Sequence, residues 1–266
     1  MQHDLQLYLP EAMYHLDENM NLEKISRSYI DDTTITCKVT RLDCYDQVLE
    51  VDLGNQLYGI IPFEDASIYP AFKDDRISPS IISLVGHDIR AQVTSLKPQI
   101  VLSRKRHMLQ ALSIFAHQNH FEYSTITGFS SLSAFVDIGA GITGKLSKRN
   151  FIPVRFRNIR DIGFKLYDTF PTDVLNFDPL NNWFELSRLS CLPHFTDVLQ
   201  KGDVVTCKVF DSVPDGSGYH VCINKSIAGI VDSTVPLYYG SEIVAVVRKE
   251  PVIGKKSVQL SFLSFL

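Results

Sequence analysis

An 85-residue internal period constrains this chain more than any other feature of its sequence. Gly59, Gly144 and Gly229 recur at that spacing (144 − 59 and 229 − 144), as do Val51, Val136 and Val221, and Leu53, Ile138 and Ile223. The tetrapeptide TCKV stands at Thr36–Val39 and again at Thr206–Val209, two periods apart. A chain that keeps glycines in register with strand-like apolar positions reads as a duplicated β-unit, each glycine serving a turn and each Val, Leu or Ile a core. With 266 residues, the period allows three tandem copies.

Within one copy the apolar residues alternate. Ile35, Cys37 and Val39 alternate with Thr36, Lys38 and Thr40, and further strands are expected over Val48–Leu53, Leu57–Ile61, Ile89–Val93 and Ile100–Ser103. Five short strands in one copy suit a small closed β-barrel or a sandwich. The expected divisions are an acidic lead-in at 1–33, a first barrel at 34–107, a helical linker at 108–120, a second barrel at 121–190, a linker at 191–200 and a third barrel at 201–266. Leu109, Leu112, Phe115 and Ala116 predict a helix over Arg104–His117, docked by one face. Pro193 is expected to start a short helix through Leu199, and Pro10 another in a lead-in otherwise read as solvated.

The stretch Ser133–Arg149, SAFVDIGAGITGKLSKR, carries the chemistry. Ala134, Val136 and Ile138 form one face of a strand, which leaves Phe135 on the polar side beside Asp137. Gly139, Gly141 and Gly144 suit a turn with positive φ. Lys145, Lys148 and Arg149 follow at once. An outward aromatic, a glycine turn and a basic return strand suit a surface that stacks bases and holds phosphates; a hairpin whose Phe packs under a loop is the other reading. From Lys145 to Lys165 there are seven cations (Lys145, Lys148, Arg149, Arg155, Arg157, Arg160, Lys165) against the single anion Asp161. Such clusters release counterions when they meet a polyanion, and a net charge of −4 means that any such contact comes from a local patch. Alternation also points Trp183 and Glu185 outward from Phe184 and Leu186, and Lys208, Phe210, His220 and Cys222 outward in the third copy. In the first copy Glu50 and Asp52 point outward, an acidic face that repels phosphate.

At AFVDIGAGITGK, KGDVVTCKV, AGIVDS and VLSRKR the chain resembles the S-one RNA-binding repeat of ribosomal protein S-one, over roughly residues 30–266. The resemblance implies mainly β structure: three tandem five-stranded antiparallel barrels of the oligonucleotide-binding (OB) class, joined by short helical linkers. It implies single-stranded RNA as partner, bound across the second and third strands, with the ribosome or ribosomal proteins as further partners. The aromatic at the centre of the family face corresponds to Phe135; its flanking aromatic and histidine positions hold Leu132 and Ser147, departures from the pattern. The third copy has Ser217, His220 and Asp232 at these places, and the first has Gln47, Glu50 and Pro62. The expected RNA-binding residues are Phe135, Lys145, Lys148, Arg149, Arg155, Arg157, Trp183, Lys208, Phe210 and His220. The rival reading is an adapter whose barrels dock on protein.

No GxSxG, P-loop, HExxH or GxGxxG is present, so neither catalysis nor a cofactor is expected. His117 and His120 lack the third and fourth ligands that a metal site wants. The five cysteines are odd in number and without CxxC spacing, which suits reduced thiols in the cytoplasm, with Cys37, Cys207 and Cys191 as core positions. The first thirty residues lack the pattern of a signal peptide, and no apolar run of membrane length occurs.

Overall fold

The computed structural model describes residues 8–214, 216–252, 255 and 257–266. Three closed five-stranded barrels follow one another along the chain. The first comprises β1 (Thr34–Asp43), β2 (Val48–Gly54), β3 (Leu57–Pro62), β4 (Asp88–Ser95) and β5 (Ile100–Ser103). The second comprises β6 (His120–Phe129), β7 (Ser133–Asp137), β8 (Thr143–Ser147), β9 (Thr169–Asp178) and β10 (Trp183–Ser187). The third comprises β11 (Val204–Ser212), β12 (Tyr219–Ile223), β13 (Ile227–Asp232), β14 (Glu242–Val247) and β15 (Val258–Phe265). In each the wall runs first, second, third, fifth, fourth and back to the first strand.

An odd number of strands cannot close with every neighbour antiparallel, so one pair must run parallel. That pair is third with fifth: Gly59 lies opposite Ile100, and Gly229 opposite Val258. This explains the periodic glycines and corrects the expectation that they serve turns. Gly59, Gly144 and Gly229 sit within the third strands β3, β8 and β13. A Cβ at Gly59 would lie 2.8 Å from Leu102 Cδ1 and 3.0 Å from the Ile100 carbonyl oxygen; one at Gly229 would lie 2.8 Å from Leu260 Cδ1 and 2.9 Å from Val221 Cγ2. The residues in register with them, Val51, Val136 and Val221, are all fully buried. Both TCKV segments make the same bend: register shifts fall between Val39 and Arg41 and between Val209 and Asp211, 170 residues apart. A bulge there lets one long first strand pair with the second strand at one end and the fourth at the other. Lys38 and Lys208 each face both neighbours.

The chain divides into two compact units, Met1–Thr125 with Val136–Gly144 and Asn176–Phe184, and Ile126–Phe135 with Lys145–Leu175 and Glu185–Leu266. In the first unit the lead-in departs from its solvated reading. Helix α1 (Leu22–Ile30) is capped by Asn21, whose side chain accepts from the Lys24 N–H at 2.9 Å. Its Ile25, with Met20, joins the core of the first barrel. The expected linker helix is α2 (Arg104–Phe115), capped by Ser103; it ends before His117, and His120 opens β6, so these two histidines do not share a helix. The expected helix at Pro193 is a single turn at Phe195–Val198. Cys222, expected outward, is buried, while Cys191 is only half-buried. No helix among the described residues is long and apolar enough to cross a membrane.

Arg104, 4% exposed, is paired bidentately with Glu11, Nε to Oε1 at 2.6 Å and the second nitrogen to Oε2 at 2.9 Å. Asp137 accepts from the backbone N–H groups of Glu11, Gly139 and Gly141 at 2.6, 2.8 and 3.1 Å. Gly141 has φ +74°, and a Cβ there would meet the Arg104 guanidinium, so glycine is required twice over. Beside this network His107 is stacked on Tyr8, ring centroids 5.2 Å apart, with neither ring nitrogen hydrogen-bonded among the described residues.

The packing of the strand glycines can be tested directly. Gly59→Ala and Gly229→Ala should each cost roughly 1–3 kcal/mol through overpacking, lowering the urea midpoint, while Gly128→Ala, with nothing nearer than 4.0 Å, should not. The buried histidine makes a second test. Burial, then Arg90 and Arg104, push the His107 pKa from 6.5 down to about 3. Its neutral form is the one the fold holds, so above pH 6.5 it adds no pH dependence. As pH falls from about 6.5 to 3 the unfolded chain gains the proton first, and stability falls by about 1.4 kcal/mol per unit. Asp137, which burial and Glu11 push up to about 7, acts with the opposite sign, its contribution being lost as pH rises through that value. Urea titrations of parent and His107→Phe, compared at each pH, therefore isolate the histidine: the difference should shift in the variant's favour on acidification and be flat above pH 7.

Candidate nucleic-acid interface

The candidate surface lies in the second unit and begins where β7 is turned. Ser130 Oγ accepts from the N–H groups of Leu132 and Ser133 at 3.3 and 3.0 Å, a local hydroxyl-to-backbone turn that leaves Leu132 at the tip, 65% exposed. The Lys148 N–H donates to the Leu132 carbonyl at 2.8 Å, tying the end of β8 to this turn. Beyond β8 comes a 3₁₀ turn at Lys148–Asn150 and then a long connection to β9. Phe151, Phe164 and Phe170 anchor that connection as a cluster with centroids 4.8 to 5.7 Å apart, and the Arg188 guanidinium stands 5.0 Å over Phe164 and 5.2 Å over Phe170.

These elements enclose an open groove of about 890 Å³. Lys145, Lys148, Arg149 and Arg155 line it, over apolar flanks from Leu132, Ile152, Pro153, Val154 and Leu189, with Glu185 as its one carboxylate. Phe135 stands half-buried on the outer face of β7, its ring over Gly128. In the first barrel Glu50 lies opposite Ile60, and in the third His220 lies opposite Ile230; the 85-residue period makes Phe135 and Lys145 the equivalent pair. An aromatic therefore stands across from a groove lysine. The sequence placed the first five expected residues near one another, and the fold brings Lys145, Lys148, Arg149 and Arg155 into the lining of one groove, with Phe135 on β7 outside that lining.

Arg157 has a different role. The segment Arg155–Ile162 straps onto the third barrel: Phe156 is buried against Phe210 with centroids 6.4 Å apart, and Phe210 packs on Tyr239 at 6.0 Å. The Arg157 N–H donates to Tyr239 Oη at 2.9 Å, its guanidinium stacks 4.4 Å over the same ring, and Tyr239 Oη donates to Asp161. Lys148 closes the strap from the groove side, its Nζ donating to the Arg157 carbonyl at 2.9 Å and lying 5.2 Å over the Phe156 ring. This overturns the outward reading of Phe210, which is 2% exposed. Alternation fails there because the bulge between Val209 and Asp211 turns Phe210 out of register and Phe156 covers it. Lys208 borders a smaller cavity of about 240 Å³ with Phe210 and Glu242, and His220 stays half-buried on β12.

Trp183 lies outside the groove's lining. Its Nε1 donates to Asp178 Oδ2 at 3.0 Å across the β9–β10 hairpin, and the Asn181 side chain, together with this bond, holds the Asp178 carboxyl down to about 2. Phe156, Tyr239 and Glu185 are the residues that sequence reasoning left without a role. The recurrence of Phe151, Phe156 and Phe164 within the basic run was the available signal for a buried strap.

Closed five-stranded barrels with this wall order define the OB class of β-barrel, here in three tandem copies. No known protein family matches the chain, and no curated protein does. Among solved structures it is similar to a multidomain protein with nucleic acid binding domains from Streptococcus pneumoniae, at 13% identity over 87% of this chain and 73% of that one, with a TM-score of 0.29. A likeness at that level carries no functional conclusion, which rests on the groove instead.

The strap generates a stability prediction. Phe156→Ala should cost roughly 3 kcal/mol through the cavity it leaves beside Phe210, and Tyr239→Phe about 1 kcal/mol through the loss of its hydrogen bonds. Urea unfolding followed by circular dichroism checks both, and equal midpoints for parent and Phe156→Ala would show that the strap is not held by this packing.

Proposed function

We propose that this chain is a single-stranded RNA-binding protein, working in the cytoplasm on mRNA or with the ribosome as its resemblance to S-one repeats implies. One observation carries the reading: four cations line a groove of the second barrel; Phe135, on the outer face of β7, takes by the 85-residue period the register position opposite Lys145. Phosphates meet Lys145, Lys148, Arg149 and Arg155 while a base stacks on Phe135, a combination that tolerates many sequences. Because the groove cations outnumber the single Glu185, the local patch is positive although the whole chain is not. The reading needs neither a catalytic group nor a cofactor. His220 and Lys208 of the third barrel and Trp183 are secondary contacts at most, since Phe210 beside the first two is covered.

The first barrel supports a second reading, docking on protein. Glu50 and Asp52 are outward on β2, Glu50 paired with Arg41 at 3.4 Å and Asp52 opposite Lys38, which leaves this pair of strands without an excess of cations for phosphate. The two readings combine if the first barrel docks while the second binds RNA.

Titration of single-stranded RNA homopolymers at several salt concentrations tests the proposal. Phe135→Ala should weaken binding by roughly 1–3 kcal/mol per stacked base with the salt slope unchanged. The triple Lys145/Lys148/Arg149→Ala variant should flatten the log–log salt dependence by about 0.7 for each phosphate no longer neutralised. If both variants bind like the parent, the groove is not the site and the docking reading replaces this one.

A further inference from the structure

Phosphate binding leaves one residue of the groove unexplained. Glu185 stands half-buried on the outer face of β10, between the inward Phe184 and Leu186. Four cations line the same groove, yet among the described residues its carboxylate accepts no hydrogen bond and enters no ion pair. The nearby Lys148 ammonium is committed instead to the Arg157 carbonyl. A carboxylate in a phosphate-binding groove repels the backbone it is meant to hold. Among the groups of a bound single strand, those that can donate to it are neutral groups, since the phosphates are anionic acceptors.

The surroundings say which donor. Leu132, Ile152, Pro153, Val154 and Leu189 give the groove apolar flanks against which a flat ring can pack, and the cations of the same lining can meet the phosphates on either side of it. Exposed base edges are the natural neutral donors of a single strand. Guanine alone presents two adjacent donors, N1–H and the 2-amino group, to match the two oxygens of a carboxylate. Adenine, cytosine and uracil each set an acceptor beside their one Watson–Crick donor, and that acceptor would face the carboxylate oxygen. We propose that the groove reads guanine, with Glu185 as the residue that sets the preference. This deepens the RNA-binding reading and rests on it.

Fluorescence anisotropy with labelled hexauridylate, and with the same strand carrying one central guanosine, inosine, adenosine or cytidine, tests the proposal at one fixed salt concentration. A single guanosine avoids self-association of G-rich strands. The guanosine strand should bind at least about fivefold tighter than the adenosine, cytidine and all-uridine strands, with inosine, which lacks the 2-amino group, in between. Glu185→Gln should erase the preference while binding all-uridine RNA at least as well as the parent, since it removes an anion from the groove; that retained binding also shows the variant is folded. Equal binding of all strands by the parent, or a guanosine preference that survives Glu185→Gln, would overturn the inference. If the parent's binding shows no guanine preference but still falls in the Lys145/Lys148/Arg149→Ala variant, only the guanine assignment is lost. If no strand binds at all, both readings fall.

Discussion

The close approach of the third strand to the fifth is the constraint on which the rest of this structure depends. Five strands close into a ring only with one parallel pair, and in barrels this narrow the pair meets at a glycine. Gly59 against Ile100 and Gly229 against Val258 leave no space for a methyl group. The buried Val51 and Val221 across the neighbouring strand then fill the interior that the glycine leaves open. Each copy repeats the arrangement because each copy closes in the same way.

Around these barrels, function is distributed by packing rather than by charge alone. The basic run after β8 would be a solvated loop if its apolar residues had nothing to cover. Phe156 covers Phe210 instead, a burial that contributes roughly 1.5–3 kcal/mol, and it fixes which cations face the groove. Arg155 lines it, whereas Arg157 is stacked on Tyr239. The same packing removes Phe210 from the surface and holds the segment that carries Arg155 against the third barrel.

In the first unit a buried guanidinium plays the corresponding part. Arg104 comes from the start of α2, Glu11 from the lead-in, and Asp137 from the end of β7. A charge this deep is tolerated only when it is fully paired, and removing either partner would leave the other uncompensated. The pairing fastens the lead-in, which its acidic composition had marked as solvated: Glu11 is used as a counter-ion and Asp137 as an acceptor for three backbone N–H groups.

Local pattern was enough to determine the strands, most of their inward faces (Phe210 and Cys222 excepted) and the number of barrels, because strand alternation and an 85-residue period are properties of the chain read along its length. Ile35, Cys37 and Val39 or Phe184 and Leu186 could be placed inside without knowing what they touch. Phe135 and the cations of the return strand were legible for the same reason, being neighbours in sequence across a single hairpin. The role of the glycines was not, since it depends on a fifth strand about forty residues away from Gly59 and thirty from Gly229. Nor was the fate of Phe210, which a one-residue bulge takes out of alternation and a phenylalanine 54 positions earlier (210 − 156) covers. Glu185 likewise read only as an outward residue; the groove that gives its carboxylate meaning is assembled from β7, β8, the connection after them and β10. Tertiary structure decided these points because a side chain's partner across a closed barrel is set by strand order and register, which sequence distance does not encode.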